Sequence, residues 1–149
     1  MLKLYFDVCC LNRPFDDQSQ PRIRIESEAV LTLMERAEVL RWRIYGSEVI
    51  DFEVAAISDT ERRTKVTHLG RIALEQIGVD TWIERRAEGL NRRGFAAIDA
   101  LHLACAERRN VDIVLTTDDH FIRQAEGCVN QLKTRVVNPA AWWMEQKAQ

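Results

Sequence analysis

The sequence predicts an α/β domain in which helices cover both faces of a central parallel sheet. Short apolar segments typical of buried strands, at 2–6 and 112–115, alternate with longer segments of helical periodicity. Parallel strands joined in this way are buried on both faces, which gives a three-layer α/β/α sandwich. The chain has 149 residues, 46% of them hydrophobic and 30% charged, which fits a single domain over residues 1–149.

Apolar spacing and capping residues define the individual elements. Ser47 and Asp59 are suitable N-caps for helices, whereas Gly94 and Asn110 are suitable helix stops. The predicted strands are 2–6, 41–45, 112–115 and 134–137. The predicted helices are 25–40, 47–57, 59 towards 75, 81–93, 96–109 and a short helix from 118.

Composition excludes several classes of protein. No segment approaches the roughly 20 apolar residues of a membrane span. The first residues, MLKLYFD, lack the features of a signal peptide, so we expect a cytoplasmic protein. Two of the four cysteines, Cys9 and Cys10, are adjacent, and none has zinc-site spacing, which argues against a disulfide or zinc framework. A net charge of −2 excludes a strongly basic nucleic-acid clamp.

Two acidic residues lie where a charge is unexpected. Asp7 directly follows the first strand, so it is either a turn residue or a residue at the ligand-binding edge of the sheet. Glu53 falls within the apolar stripe of the helix that begins after Ser47. A carboxylate that faces a core is costly unless its charge is compensated. Glu53 is therefore an edge glutamate whose carboxylate reaches solvent, the partner of an arginine, or a residue next to a bound cation.

Two further acids have the same property. Asp99 lies in the first turn of the most apolar helix, where the helix dipole favours an acid but a buried charge needs a partner. Asp118 follows the strand that ends at Leu115 and is either the N-cap of the next helix or a pocket residue. Asp118 shares a helix face with Phe121, whereas Asp119 points away from that face.

The four acids are expected to converge, because the carboxyl ends of parallel strands meet at one edge of a sheet. Converging carboxylates repel one another unless a cation neutralises them. Their oxygen ligands suit Mg²⁺ or Mn²⁺, which take other ligands from water and from a substrate phosphate. The pattern therefore predicts metal-assisted hydrolysis of a phosphodiester.

The order of these acids and two short motifs resemble the PIN domain family, in particular the ribonuclease toxins of VapBC toxin–antitoxin modules. The motifs are Asp-Ala-Leu-His-Leu-Ala from Asp99 and Leu-Thr-Thr-Asp-Asp-His-Phe from Leu115. The resemblance extends from Leu4 to about Trp143. It implies a PIN-like fold, an acidic Mg²⁺ or Mn²⁺ pocket, cleavage of single-stranded RNA, a homodimer and inhibition by a small antitoxin.

The resemblance also assigns residues by position. Thr116 is expected to support the pocket through its hydroxyl group. Cys9 departs from the family pattern, since it stands where the family usually has Ser or Asn, and a thiol is a poorer hydrogen-bond partner. Asn12 is a candidate for supplying the missing polar group. The catalytic and metal-binding residues that the resemblance implies are Asp7, Glu53, Asp99 and Asp118.

Several other polar residues have two open interpretations. Glu26 is either a fifth pocket acid or, as its place at a helix start favours, the partner of an arginine. His102 is expected to be a hydrogen-bonded core residue. The arginines near the loop after the first strand are either phosphate contacts or solvated surface residues. These candidate RNA contacts are Arg13, Arg22 and Arg24.

The sequence thus predicts a Mg²⁺- or Mn²⁺-dependent endoribonuclease that cleaves single-stranded RNA as the toxin of a toxin–antitoxin pair. One alternative is a PIN-like module that binds RNA or protein with weak or no catalysis, which Cys9 alone favours. A second alternative is a phosphoryl-transfer or receiver domain. A receiver needs paired acids after the first strand, and Asp7 stands alone there.

Overall fold

The computed structural model of the chain describes residues 1–148, so Gln149, the last residue of the predicted domain 1–149, lies outside the described residues. Two 3₁₀ turns, Arg13–Phe15 and Val129–Gln131, accompany the longer elements. In chain order these elements are β1 (Lys3–Phe6), α1 (Val8–Asn12), α2 (Pro21–Leu40), β2 (Arg43–Ser47), α3 (Glu48–Ala55), α4 (Thr60–Gly70), β3 (Glu75–Ile77), α5 (Thr81–Arg92), α6 (Ala97–Arg108), β4 (Ile113–Leu115), α7 (Asp119–Glu126), β5 (Arg135–Val137) and α8 (Pro139–Lys147).

The sheet is parallel throughout, with the strand order β3-β2-β1-β4-β5. The chain first builds outward from β1 to β3 and then crosses to the other side of β1 to add β4 and β5. The strand order therefore reverses between β1 and β4. In open α/β sheets, ligands bind at the carboxyl ends of the strands beside such a reversal.

Both faces of the sheet are covered. Leu4, Tyr5 and Phe6 are consecutive residues of β1, and all three are buried although their side chains point alternately to opposite faces. Among the helices, α2 packs against α8, and α5 packs against α6. The predicted fold class, an α/β/α sandwich with a central parallel sheet, is confirmed.

The predicted helix boundaries rest on local hydrogen bonds and backbone angles. The Ser47 hydroxyl accepts a hydrogen bond from Ile50 N at 3.1 Å, and this cap begins α3. The Asp59 carboxylate caps α4 in the same way. Gly94 and Asn110, after α5 and α6, have positive φ angles of 106° and 56°, which end the helices by turning the chain.

Some short elements differ from the sequence-based expectation. The segment after Asp7 was expected to be a loop but forms the five-residue helix α1. Glu75–Ile77 forms edge strand β3, where the prediction extended a helix. Elements of three to five residues contain too few positions to show a period, so neighbouring elements decide their structure. Strand β2 also continues to Ser47, two residues beyond the predicted strand 41–45.

The C-terminal segment forms α8, a helix that the sequence analysis does not predict. Trp142 is buried in it, with its ring 5.6 Å from that of Trp42, and α8 lies along α2. The segment therefore packs mainly on another helix. Over residues 1–148, no helix is both long enough and apolar enough to cross a membrane.

Candidate active site

Asp7 lies at the point where the strand order reverses. Its backbone N donates to Leu115 O at 2.9 Å, which continues the pairing of β1 with β4 by one residue. The carboxylate then caps α1, with Oδ1 accepting from Val8 N at 2.7 Å. The other oxygen, Oδ2, accepts from the Thr116 hydroxyl at 2.9 Å. These bonds fix a buried carboxylate at the carboxyl edge of the sheet.

Thr116 links two of the predicted acids. It directly follows β4, so its side chain lies beside the end of β1. Besides donating to Asp7, its Oγ1 accepts from Asp118 N at 3.2 Å. A buried hydroxyl that bonds both segments holds the two loops together, which is the contact expected of a supporting residue.

Glu53 reaches the same edge from α3. Its Oε1 accepts a hydrogen bond from Nε2 of His102. Candidate ligand atoms of Asp7, Glu53 and His102 all lie within 4.8 Å of one another, the only such group of three or more found in residues 1–148. The Glu53 side chain is 29% exposed, whereas that of Asp7 is 9% exposed, so the group opens to solvent on the Glu53 side.

Asp99 occupies the first turn of α6 and is buried. Burial, together with the charges of Asp7 and Asp118, raises the pKa of Asp99 to about 6. Glu53 also raises it, and His102 lowers it. Asp99 therefore lies within electrostatic reach of the other predicted acids.

Asp118 lies at the exposed rim of the site. Its Oδ1 accepts from the backbone N of His120 at 2.9 Å and of Phe121 at 3.3 Å, so Asp118 is the N-cap of α7. The N-cap interpretation of Asp118 is thus confirmed. Its charge nevertheless contributes to the raised pKa of Asp99, so capping and a place at the site are compatible.

Cys9 belongs to the same hydrogen-bond network. Its Sγ lies 3.5 Å from Asp7 Oδ2 and 3.2 Å from Thr116 Oγ1, and it accepts from Thr117 N at 3.2 Å. The thiol therefore occupies the position from which a hydroxyl or amide would contact Asp7. Asn12 does not take over this contact, because its side chain bonds to Val8 O and to Arg62.

His102 lies at the site, although the sequence predicts only a hydrogen-bonded core residue at this position. It is a hydrogen-bonded core residue, as predicted, but one of its partners is Glu53. Burial lowers the pKa of His102, but the charges of Asp7, Glu53 and Asp99 outweigh this effect, so the net shift is upward. A signal was available, since Asp99 and His102 are three residues apart on a helix and so share one face.

The arginines near the first loop make internal ion pairs. Arg13 Nε lies 2.8 Å from Glu26, and Arg22 Nε lies 3.1 Å from the same carboxylate. The arginine-partner interpretation of Glu26 is thereby confirmed. Arg22 also binds Asp119, whereas Arg24 lies exposed on α2.

The donor atoms suit a divalent cation. Asp7 and Glu53 supply carboxylate oxygens, which Mg²⁺ and Mn²⁺ prefer. Asp99 lies outside this close group, and its pKa is raised by burial and by the negative charges of its acidic neighbours. A cation at this edge of the sheet would relieve that repulsion. The arrangement is thus chemically able to hold a cation next to a phosphate.

Comparisons with known structures identify the fold. VapBC2 from Rickettsia felis, solved bound to a DNA fragment from the promoter, aligns with a TM-score of 0.61 at 12% identity, covering 92% of this chain and 98% of that chain. VapBC-5 from Mycobacterium tuberculosis aligns with a TM-score of 0.57 at 18% identity, covering 93% and 99%. PAE2754 from Pyrobaculum aerophilum aligns with a TM-score of 0.58 at 11% identity, covering 99% and 91%. At these identities the likeness shows a shared fold.

Sequence comparisons complete the assignment. A search of curated proteins finds no match. The model of the PIN domain matches residues 7–127, which is well over half of the chain and includes all four predicted acids. The chain therefore belongs to the PIN domain family.

Proposed function

We propose that the protein is a metal-dependent endoribonuclease that cleaves single-stranded RNA. The observation that carries this proposal is the convergence of Asp7 and Glu53, with their ligand atoms in one group, next to Asp99, whose pKa is raised by burial and by its acidic neighbours. Asp118 adds a fourth carboxylate at the rim. Membership of the PIN domain family, whose members are generally nucleases, supports the proposal.

The chain's own residues would hold the cation and the substrate. Asp7, Glu53, Asp99 and Asp118 bind the metal, directly or through water, and Thr116 keeps Asp7 oriented through its 2.9 Å hydrogen bond. Bound Mg²⁺ or Mn²⁺ supplies the Lewis acidity that activates water and neutralises charge on the leaving oxygen. A protein general base is therefore not required.

RNA would lie across the open side of the site. Arg24 is exposed on α2 and is one candidate phosphate contact. Arg13 and Arg22 are held by carboxylates, so phosphate contacts from them would use only the remaining guanidinium donors. The backbone of RNA carries no sequence information, so these contacts would position the strand without selecting its sequence.

The biological context of this proposal is a toxin–antitoxin pair. Two of the similar structures are VapBC proteins, and this supports a toxin role with a small antitoxin as partner. A homodimer and a cytoplasmic location complete the proposal. The homodimer is what the family resemblance implies.

A second candidate function is a PIN-like module that binds RNA or protein with little or no cleavage. The specific observation in its favour is Cys9, whose Sγ lies 3.5 Å from Asp7 Oδ2, where a stronger hydrogen-bond donor would hold the carboxylate more firmly. Weak catalysis would follow if Asp7 were poorly oriented.

The test is cleavage of end-labelled single-stranded RNA by purified protein with Mn²⁺, with duplex RNA and single-stranded DNA compared. We expect cleavage of single-stranded RNA that EDTA abolishes and that Asp99→Asn reduces by about 100-fold or more. Glu53→Gln should lose activity as well. The matched control is Glu48→Gln, which replaces an exposed glutamate on the same helix and should keep wild-type activity. Equal cleavage by wild type and Asp99→Asn would mean a contaminating nuclease and defeat the proposal. RNA binding without cleavage would favour the second function.

A further inference from the structure

Three buried polar side chains form a row that leads from the core to Glu53. The Ser47 hydroxyl lies 2.7 Å from the Tyr5 hydroxyl, and the Tyr5 hydroxyl lies 2.5 Å from Nδ1 of His102. On its other side, Nε2 of His102 bonds Oε1 of Glu53 and lies 3.4 Å from Oδ1 of Asp7. Ser47, Tyr5 and His102 are fully buried, so the row satisfies polar groups that water cannot reach.

The direction of the bond to Glu53 follows from the chemistry of the groups. An ionised carboxylate only accepts hydrogen bonds, so Nε2 of His102 carries a hydrogen whether the ring is neutral or protonated. In the neutral ring, Nδ1 accepts, and the Tyr5 hydroxyl donates to it. A phenol hydroxyl carries a hydrogen that it can donate to Nδ1 of His102 across the 2.5 Å contact.

We propose that His102 is a positioning residue that holds the Glu53 carboxylate towards the metal site, with Tyr5 fixing the orientation of the imidazole. The inference rests on the proposed function, because it assumes that Glu53 binds the cation. In this arrangement Tyr5 and Ser47 lie behind His102 and hold its imidazole ring in one orientation before any metal binds.

The alternative is that His102 is itself a ligand. The positions of its ring nitrogens argue against this, because Nδ1 faces Tyr5 and Nε2 donates towards the carboxylates. A coordinating nitrogen has no hydrogen to donate. A histidine ligand would also favour Mn²⁺ over Mg²⁺, whereas a residue that only orients a carboxylate affects both ions alike.

The experiment titrates the full-length protein with Mn²⁺ alone and with Mg²⁺ alone by isothermal calorimetry, without RNA. The variants are Tyr5→Phe, His102→Leu and His102→Gln, with folding checked by circular dichroism. We expect Tyr5→Phe and His102→Leu to weaken the binding of Mn²⁺ and of Mg²⁺ by a similar factor of about 10 to 100. Glutamine can donate an N–H to Glu53, so His102→Gln should recover most of the affinity.

Tyr45→Phe is the matched control. Tyr45 is a buried tyrosine that pairs in register with Tyr5 on the neighbouring strand, but its hydroxyl is not part of the row. The Tyr45→Phe variant should bind both ions with wild-type affinity. Unchanged binding in Tyr5→Phe would overturn the inference, and so would a loss of Mn²⁺ affinity in His102→Leu far larger than the loss of Mg²⁺ affinity. Failure of the wild type to bind either ion would overturn the proposed function with it.

Discussion

Arg22 of α2 and Asp119 of α7 form a two-point ion pair, in which Nη1 and Nη2 each lie 2.9 Å from a different carboxylate oxygen. The same guanidinium donates to Thr117 O at 3.1 Å, and its Nε donates to buried Glu26 at 3.1 Å. Arg22 thus binds the residues on both sides of Asp118. Through this contact a residue outside the pocket restrains the loop that carries the fourth acid.

Removal of this restraint should affect the site more than the fold. We expect Arg22→Ala to lower the rate of RNA cleavage by up to about fivefold, a modest factor because solvent screens this half-exposed ion pair. Hydrogen exchange of the amides of 118–121 should become faster. Arg135→Ala is the control, because Arg135 makes an equally two-pointed pair with Glu145 on α8. Similar rates of cleavage in the two variants would show that the restraint has no role.

The buried Glu26 should matter chiefly for stability. Its side chain is 3% exposed and accepts from Arg13, Arg22 and, at 2.6 Å, the side-chain amide of Asn138. Removing the carboxylate leaves the donors of these three side chains without their shared acceptor. We expect Glu26→Ala to lower the free energy of unfolding by about 2–3 kcal/mol, below the cost of breaking a fully buried pair because the arginines are partly exposed. Urea denaturation measures the loss, and exposed Glu28→Ala should change stability by less than about 0.5 kcal/mol.

Asp99 should destabilise the metal-free protein. Its pKa rises from 3.8 in the unfolded chain to about 6 in the folded protein, so the ionised carboxylate costs folding free energy as the pH rises through this interval. We expect Asp99→Asn to raise the melting temperature in EDTA at about pH 8 by a few degrees, and to give little difference near pH 4.

Added Mn²⁺ should reverse the order of the two melting temperatures, so that the wild type melts at a higher temperature than Asp99→Asn. The ion stabilises the wild type in proportion to its binding, whereas Asp99→Asn has lost part of the site. Glu28→Gln, which removes an exposed charge, serves as the control for the change in net charge. A melting temperature of Asp99→Asn at or below that of the wild type in EDTA at alkaline pH would contradict the repulsion among these acids.

Replacing the thiol at position 9 tests the departure from the family pattern. A hydroxyl group is the stronger hydrogen-bond partner for Asp7 and Thr116, so we expect Cys9→Ser to raise the rate of cleavage by about two- to fivefold. Cys128→Ser, at a half-buried cysteine two residues after the end of α7, is the control. A fall in activity would show that the larger sulfur, which reaches Thr117 N at 3.2 Å, fits this site better than oxygen.

The long elements and their ends were predictable because their signals are local. Ser47 and Asp59 cap helices through bonds to residues three positions away, and Gly94 ends α5 through its own backbone angle. Strand β3 and helices α1 and α8 were not predictable, because short or weakly periodic segments acquire their structure from the elements beside them. Trp142, for example, is placed by Trp42, which lies 100 positions earlier in the chain.

The residues of the site also divide into those that the sequence predicts and those that only the fold brings together. Asp7, Glu53, Asp99 and Asp118 stand out in the sequence, since each is an acid where the local pattern calls for an apolar or a turn residue, and their order carries the family resemblance. The sequence by itself therefore determined the fold class and the candidate acids. Only the tertiary structure decided that His102 contacts Glu53, that Tyr5 and Ser47 stand behind it, and that Arg22 binds the loop of Asp118. Periodicity reports which side of an element faces inward, whereas these contacts join side chains some 40 to 100 positions apart and depend on how the elements pack.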